Sequence, residues 1–408
     1  MTIQAVAEEV ADQIRAADFI EVYAHHDADG IAAGAILCQA ILRAGGRFRL
    51  RVRQSIRAED IIHPESTLLC DLGAGLADLP ERVMVVDHHV PHFEGAYHVN
   101  PHLAGIDGER ELSASGTAYL VAQALGDHRD LVGLALLGVL GDRQEFVGTN
   151  REILNEGIAN GYISPDTGLL LPGRGVREAL ETAIDPYIHG VSGDPETVTK
   201  ILEHAVGEGE DEVDDDLLLS LLVLDAGADV APSVFSRLYG TRYRLEREVV
   251  EDARTLTALV EGCGQEGRGG LAASICLRSP DAVEEGFRVA EGYRRRVLAG
   301  VADARPVDDG AVLYAVTDAT VASGVADCLA FDLRRDTPVA VMAPCGGDEW
   351  HVSARAPPGV EVDLEAVLRD LAGALGGTGG GHRDRSGASV PADRIEEFRD
   401  GFVKAVAL

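Results

Sequence analysis

Lysine is nearly absent from this chain: only Lys200 and Lys404 occur, beside 34 arginines. Positive charge is scarce overall, since 36 basic residues face 68 acidic ones for a formal net charge of −32. That balance excludes a generally basic protein that coats nucleic acid, and one that adheres to anionic membranes. It does not exclude a nucleic-acid enzyme, because metal ions or a local arginine surface can offset the field at one site. A lysine-poor, acid-rich surface also reads as halophilic adaptation, in which salt screens the long-range repulsion. Aromatics make up only 5% of residues, so base-stacking platforms are few. The six cysteines (Cys38, Cys70, Cys263, Cys276, Cys328, Cys345) form no C-x-x-C pair. Neither a zinc site nor a disulfide framework is indicated, and they read as small buried hydrophobes in a reducing compartment. No apolar run reaches membrane-spanning length, and the start carries Glu8 and Glu9 without a basic segment. No membrane contact and no signal peptide are expected, and the expected location is cytoplasmic.

What is present is a folded chain: 408 residues, 46% hydrophobic and 25% charged, enough for two or three domains. Residues 4–16 have helical spacing, 19–24 read as a strand, and 30–43 as an Ala/Ile/Leu-rich helix. Phe48, Leu50 and Val52 alternate with Arg47, Arg49, Arg51 and Arg53, a period-2 strand pattern. Buried-strand runs at 66–70 and 83–86 each end in an aspartate, Asp71 and Asp87, and helices are expected over 113–125 and 130–140. Strands alternating with helices predict a largely parallel sheet with functional groups at its carboxyl ends. From 151 to 300 the pattern is mainly helical, with an acidic run at 208–216 that reads as a solvated loop. A second α/β pattern follows: strands at 311–316, 338–343 and 349–353, helices at 324–334 and 363–375, then Gly376-Gly-Thr-Gly-Gly-Gly-His382. The expected fold is α/β, with a parallel-sheet domain (1–150), a helical extension and linker (151–300) and a smaller α/β domain (301–408). A cleft is expected between the two α/β domains.

Eight of the 13 histidines fall within residues 25–102, about a fifth of the chain. Asp27, Asp29, Asp71 and Asp87 stand among them, with Asp142 further on. Tyr23-Ala-His-His-Asp-Ala-Asp-Gly30 would put His25, Asp27 and Asp29 on one side of an extended segment leaving the sheet. Imidazole and carboxylate donors without thiolate suit Mn²⁺ or Mg²⁺ better than structural zinc. One carboxylate shared by two ions commonly holds the pair about 3.5–4 Å apart.

His25-x-Asp27-x-Asp29-Gly30, Asp71-Leu-Gly73, Asp87-His88-His89 and Gly141-Asp142 resemble, in order, the four motifs of the DHH phosphoesterase superfamily. Gly379-Gly-Gly-His382 resembles the signature of the accompanying DHHA1 domain, and the opening motif resembles archaeal RecJ-like exonucleases. The resemblance implies that His25, Asp27, Asp29, Asp71, His88 and Asp142 bind two divalent ions, Mn²⁺ before Mg²⁺, with Asp71 bridging. It implies that His89 touches the scissile phosphate while Asp87 orients the histidines. Arg355 and His382 would grip substrate, and the backbone of Gly379, Gly380 and Gly381 could approach a phosphate because no side chain obstructs it. Arg383-Asp-Arg-Ser-Gly387 departs from the family's alanine-rich continuation.

The function so implied is a metal-dependent exonuclease of single-stranded DNA or RNA, working from the 5′ end, with DNA repair as its setting. A second enzyme reading is a nanoRNase or phosphatase of short oligonucleotides or of phosphorylated or cyclic nucleotides, favoured by the lack of a recognisable oligonucleotide-binding barrel. A third reading, from another class, is a replication scaffold that docks the GINS complex. Degenerate metal motifs would mark it, whereas all six expected ligands are present. The Arg47–Arg53 strand reads either as a protected sheet edge or as a track for phosphates or an acidic partner. Arg294, Arg295 and Arg296 read as a salt-bridged helix face.

Overall fold

In the computed structural model, which describes residues 2–206, 213–226, 230–308, 310, 312–333 and 335–406, the apolar runs near the N-terminus form one parallel sheet. Its strands are β1 (Phe19–His25), β2 (Arg47–Arg53), β3 (Thr67–Cys70), β4 (Met84–Val86) and β5 (His98–Val99), in the order β2-β1-β3-β4-β5. β3 and β4 are buried along their whole length, as strands covered on both faces must be. Helices α1 (Ile3–Ala16), α2 (Ala28–Arg43), α3 (Ala114–Leu125), α4 (Val132–Gly141) and α5 (Gly148–Ala159) complete this half. α2 starts where the Asp27 carboxylate accepts the Gly30 N–H at 2.9 Å. Because α2 packs on β1, α3 and α4 at once, it is apolar nearly all round, from Ile31 to Ile41.

The chain divides into two compact units, Met1–Asp166 with Thr241–Ala290, and Thr167–Gly240 with Glu291–Leu408. Residues 151–300 are thus shared between them, and they hold two strands, Ile163–Leu169 and Tyr239–Leu245, besides helices. In the first unit, helix Ala253–Gln265 adds Leu256, Leu259 and Val260 to the core beneath α2.

The second unit has a six-stranded sheet. Its order is Thr378–Gly381, Arg385–Pro391, Glu349–Arg355, Val339–Pro344, Leu313–Ala315, Arg305–Pro306, and only the pair Leu313–Ala315 with Val339–Pro344 is parallel. Leu364, Leu368, Phe398 and Phe402 from two helices fill one core, and Val297, Val325 and Leu329 another. The acidic run is described only from Val213 onward. There Asp214 caps helix Asp215–Asp225, accepting from the Asp216 and Leu217 N–H groups at 2.9 and 3.0 Å, so this part serves a helix start rather than a loop. Ala311 and Arg334, at the ends of two expected elements, lie outside the described residues. Arg294 pairs with Glu178 (3.1 Å), Arg295 with Glu291 (2.9 Å) and Arg296 with Asp318 (3.4 Å), the salt-bridged face expected. Five cysteines are buried, but Cys345 is exposed, a departure explained by its place just after strand Val339–Pro344 in a turn. Among the described residues, no helix is long and apolar enough to cross a membrane.

One buried charge ties the helical part of the second unit to its sheet part. Asp332, fully buried, accepts the Tyr187 N–H at 2.7 Å and pairs with Arg237, while its carbonyl accepts the Ala231 N–H at 2.9 Å. Removing one partner of such a pair strands the other. Asp332→Ala should therefore cost about 3–5 kcal/mol, read as a lower urea midpoint for this unit, and Asp332→Asn clearly less.

Candidate metal centre

The strand order reverses direction at β1, with β2 on one side and β3 on the other, and in open parallel sheets such a switch point opens a crevice at the strands' carboxyl ends. His25 ends β1 there, Asp71 follows β3, and Asp87-His88-His89 follows β4. Asp27 and Asp29 do not continue as an extended segment. Asp27 is the cap of α2 and Asp29 lies in its first turn, because the capping bond to Gly30 turns the chain at once into helix. Asp142 arrives from elsewhere, at the C-terminal end of α4.

Two donor triads result, His25/Asp27/Asp71 and Asp29/His88/Asp142, each with its donor atoms within 4.8 Å of one another. Asp71 lies between them: Oδ2 is 3.2 Å from His25 Nδ1, and Oδ1 is 3.4 Å from His88 Nε2. Its backbone sits in the left-handed region (φ 57°), a conformation aspartate tolerates better than most residues and one that concentrates at functional sites. The buried Asp71 Oδ1 and Asp142 Oδ2 make no hydrogen bond among the described residues. Buried oxygens left without donors, among imidazoles and no thiolate, fit a hard divalent cation.

The surroundings set each donor. Asp29 accepts the Ala114 and Ser115 N–H groups at 2.7 and 2.6 Å, at the start of α3. His88 Nδ1 lies 2.7 Å from the Gly108 carbonyl, which only an Nδ1–H can satisfy, so Nε2 is turned to the aspartates. His89 Nδ1 is 2.9 Å from Asp87, and Asp87 also accepts N–H groups from Ala74 (2.9 Å) and His88 (2.7 Å). Asp87 thus contacts the ring of His89 and the backbone of His88. Asn100 holds the His89 carbonyl at 2.9 Å.

Burial, then the neighbouring Asp29 charge, pushes Asp142 well above the usual carboxylate range. Burial, then Asp71, likewise raises Asp29, to about 6. Burial opposes charge on His25 and His88, but the aspartates around them outweigh it and hold both imidazoles well above 6.5. Burial would raise Asp87 too, yet His89 and His88 hold it below the ordinary value.

Sequence reasoning passed over two contributors. Gly138 of α4 leaves room for Asp29: a Cβ there would lie 1.8 Å from Oδ1 and 2.3 Å from Ser115 Oγ. A glycine inside an otherwise apolar helix was the available signal. Glu261, from helix Ala253–Gln265, accepts the Ala28 N–H at 2.8 Å and so braces the turn after Asp27. It is 233 residues away in sequence, and nothing local marks it.

The remaining expected residues belong to the second unit. Arg355 ends strand Glu349–Arg355, 8% exposed, with its guanidinium on Asp327, Ser323 Oγ (2.6 Å) and the Ala354 carbonyl (2.9 Å). Gly379, Gly380 and Gly381 form the edge strand Thr378–Gly381 rather than a loop, and the His382 N–H donates to the Arg385 carbonyl at 2.7 Å. Gly379 has a packing reason, since a Cβ would lie 2.4 Å from the Leu368 carbonyl.

Residues 309–407 match the DHHA1 domain. An uncharacterized protein of Methanocaldococcus jannaschii is 26% identical, with 93% of this chain and 91% of that protein covered. RecJ of Thermus thermophilus in complex with Mn²⁺ superposes with a TM-score of 0.56 at 18% identity, over 98% of this chain. The chain spans about half of that RecJ, 53% of its length. CDC45 of Entamoeba histolytica superposes with a TM-score of 0.57 at 11% identity, with 99% of each chain covered. The chain thus carries a DHHA1 match over its C-terminal quarter. As a whole it shares the RecJ-like fold.

Two outcomes follow from the geometry. In chelator, His25 and His88 contribute stability that is complete below pH 6.5 and is lost as pH rises through their raised folded values. Asp142 acts in the same sense, since unfolding releases a proton it holds when folded, and Asp29 does so at lower pH, up to about 6. The chelated protein should thus lose stability as pH rises above about 6.5, while Mn²⁺, competing with those protons, should raise the melting temperature more at the higher pH. A Mn²⁺ effect that shrinks with pH would contradict the site. Gly138→Ala should cost about 1–3 kcal/mol and most of the Mn²⁺ stabilisation, whereas Gly292→Ala, with nothing within 4 Å, should be neutral or stabilising in the same melts.

Proposed function

We propose that this chain is a metal-dependent phosphodiesterase, a RecJ-like exonuclease that hydrolyses single-stranded DNA or RNA from the 5′ end. The observation that carries the reading is Asp71, which joins two partly buried triads of oxygen and nitrogen donors. His25, Asp27, Asp29, Asp71, His88 and Asp142 would hold two divalent cations, Mn²⁺ in preference to Mg²⁺. When bound, such a pair activates water near neutral pH and offsets phosphate charge. The chain's own groups do the rest. The α3 N-terminus fixes Asp29, the Gly108 carbonyl fixes the His88 tautomer, and Asp87 holds His89 so that Nε2 can donate to a phosphate oxygen. No serine, cysteine or lysine nucleophile is required. The RecJ-like fold and the DHHA1 match support this reading, and the full donor set argues against a GINS-docking scaffold as the sole role.

The short-substrate reading keeps one observation in its favour: Arg355, expected to grip substrate, is engaged by Asp327 and Ser323. Its proposed role would require exchanging those partners. A 5′-labelled long strand and a dinucleotide, assayed with Mn²⁺ at high salt, separate the two readings. Wild type should cleave the long strand progressively from its 5′ end. Asp71→Ala and Asp142→Ala should abolish cleavage, and Asp87→Asn should reduce metal affinity or rate roughly 10–100-fold. If folded wild type with Mn²⁺ cleaves no single strand, dinucleotide or phosphorylated nucleotide, the enzyme reading fails.

A further inference from the structure

Strand β2 is the outer edge of the first sheet, and its register on β1 puts Arg47, Arg49, Arg51 and Arg53 opposite Phe19, Glu21, Tyr23 and His25. The alternate residues Ile20, Val22 and Ala24 are buried in the core on the other face. Along β3 and β4 the arginine-bearing face is covered, Leu69 and Val85 being packed beneath Ile56, Ile61 and Val83. Over β2 the arginines stay accessible: Arg47 and Arg53 are exposed, and the Arg49 side chain is 55% exposed.

Glu21 is the one carboxylate paired with this row among the described residues. It meets Arg49 at 3.3 Å and also Arg51, so four cations face a single anion there. Arg47 and Arg53 have no carboxylate partner among the described residues, in a chain with nearly two acidic side chains for each basic one. Two of the few aromatic residues share this face. Phe19 is 38% exposed, and Arg51 lies over the Tyr23 ring at 5.4 Å while donating to its hydroxyl at 3.2 Å. Alternate residues on a strand are about 6.6 Å apart, a separation similar to that of successive phosphates on an extended single strand. A cationic track with exposed aromatic surface is how sequence-tolerant single-strand binders work. The row also has an address: Arg53 is in register with His25, so its end meets one of the two metal triads.

We propose that the β1–β2 face is a binding track for the phosphate backbone of a single-stranded nucleic acid, leading along Arg47, Arg49, Arg51 and Arg53 toward His25, with Phe19 as a base-stacking surface. The track deepens the nuclease reading and rests on it for direction, but strand binding can be measured without catalysis. The test uses the full chain at the lowest salt at which it stays folded, with fluorescein-labelled oligo-dT and oligo-U followed by anisotropy in chelator. Arg47→Ser/Arg53→Ser should weaken binding about tenfold or more and make the slope of log affinity against log salt shallower by about 1.4, as for two lost phosphate contacts. Arg47→Lys/Arg53→Lys, which keeps the charge, should retain the wild-type slope. Phe19→Ala should weaken binding with the slope unchanged. With Mn²⁺, the serine variant should cleave a long strand with a raised KM.

Serine variants that bind with wild-type affinity and slope would overturn the track. So would variants that lose affinity for polyglutamate but not for either oligonucleotide, an outcome that makes the face a dock for an acidic protein. Arginine-dependent strand binding by a wild type that cleaves nothing would uphold the track and remove the nuclease reading.

Discussion

Carboxylates that repel one another, buried together at the carboxyl end of one parallel sheet, are the constraint to which the rest of the first unit answers. Asp29, Asp71 and Asp142 crowd His88, all but the half-buried Asp142 with almost no access to water. Charge of one sign in a poorly solvated crevice is costly unless donors or a cation offset it. The protein supplies part of that offset itself, through the α3 N-terminus on Asp29 and the N–H groups that converge on Asp87. Asp71 Oδ1 and Asp142 Oδ2, which accept no hydrogen bond among the described residues, mark the part a cation would supply.

The same constraint explains features that look unrelated along the chain. α4 carries Gly138 because the Asp29 carboxylate passes against its backbone, and Asp71 adopts a left-handed backbone to lie between two triads. Helix Ala253–Gln265 returns from far along the chain to brace Ala28 with Glu261, so residues 241–290 belong with the site-bearing unit by packing as well as by polar contact. Disturbing one of these supports alters where the carboxylates stand, and with that how strongly they attract a cation.

The charge of −32 takes on a more local meaning in this setting. The site residues account for only a few of the excess carboxylates. Exposed ion pairs such as Arg129 with Asp127 and Arg110 with Glu145 are neutral as pairs, add nothing to that excess, and are each worth little individually in water. Against that background the β1–β2 face differs in kind, because its arginines outnumber the acid that could pair with them. Net charge sums the whole surface, whereas the placement of a few arginines sets the local field on one face.

By itself the sequence determined most elements of the first sheet and its helices, and pointed to candidate donors. Period-2 alternation located β2, apolar runs located β1, β3 and β4, and the helices lay where 3.6-residue spacing put them, because these patterns are set by local backbone geometry and by which side faces the core. Asp27, Asp29, Asp71, His88 and Asp142 could be read from ordered short motifs. What only the tertiary structure decided is how those donors divide into two triads, that Asp29 turns into a helix, that Gly138 and Glu261 serve the site, and that Arg355 is held by Asp327. Residues 29 and 138, or 28 and 261, meet through packing of helices distant in sequence, and no local period encodes which distant backbone will come to lie against a given carboxylate.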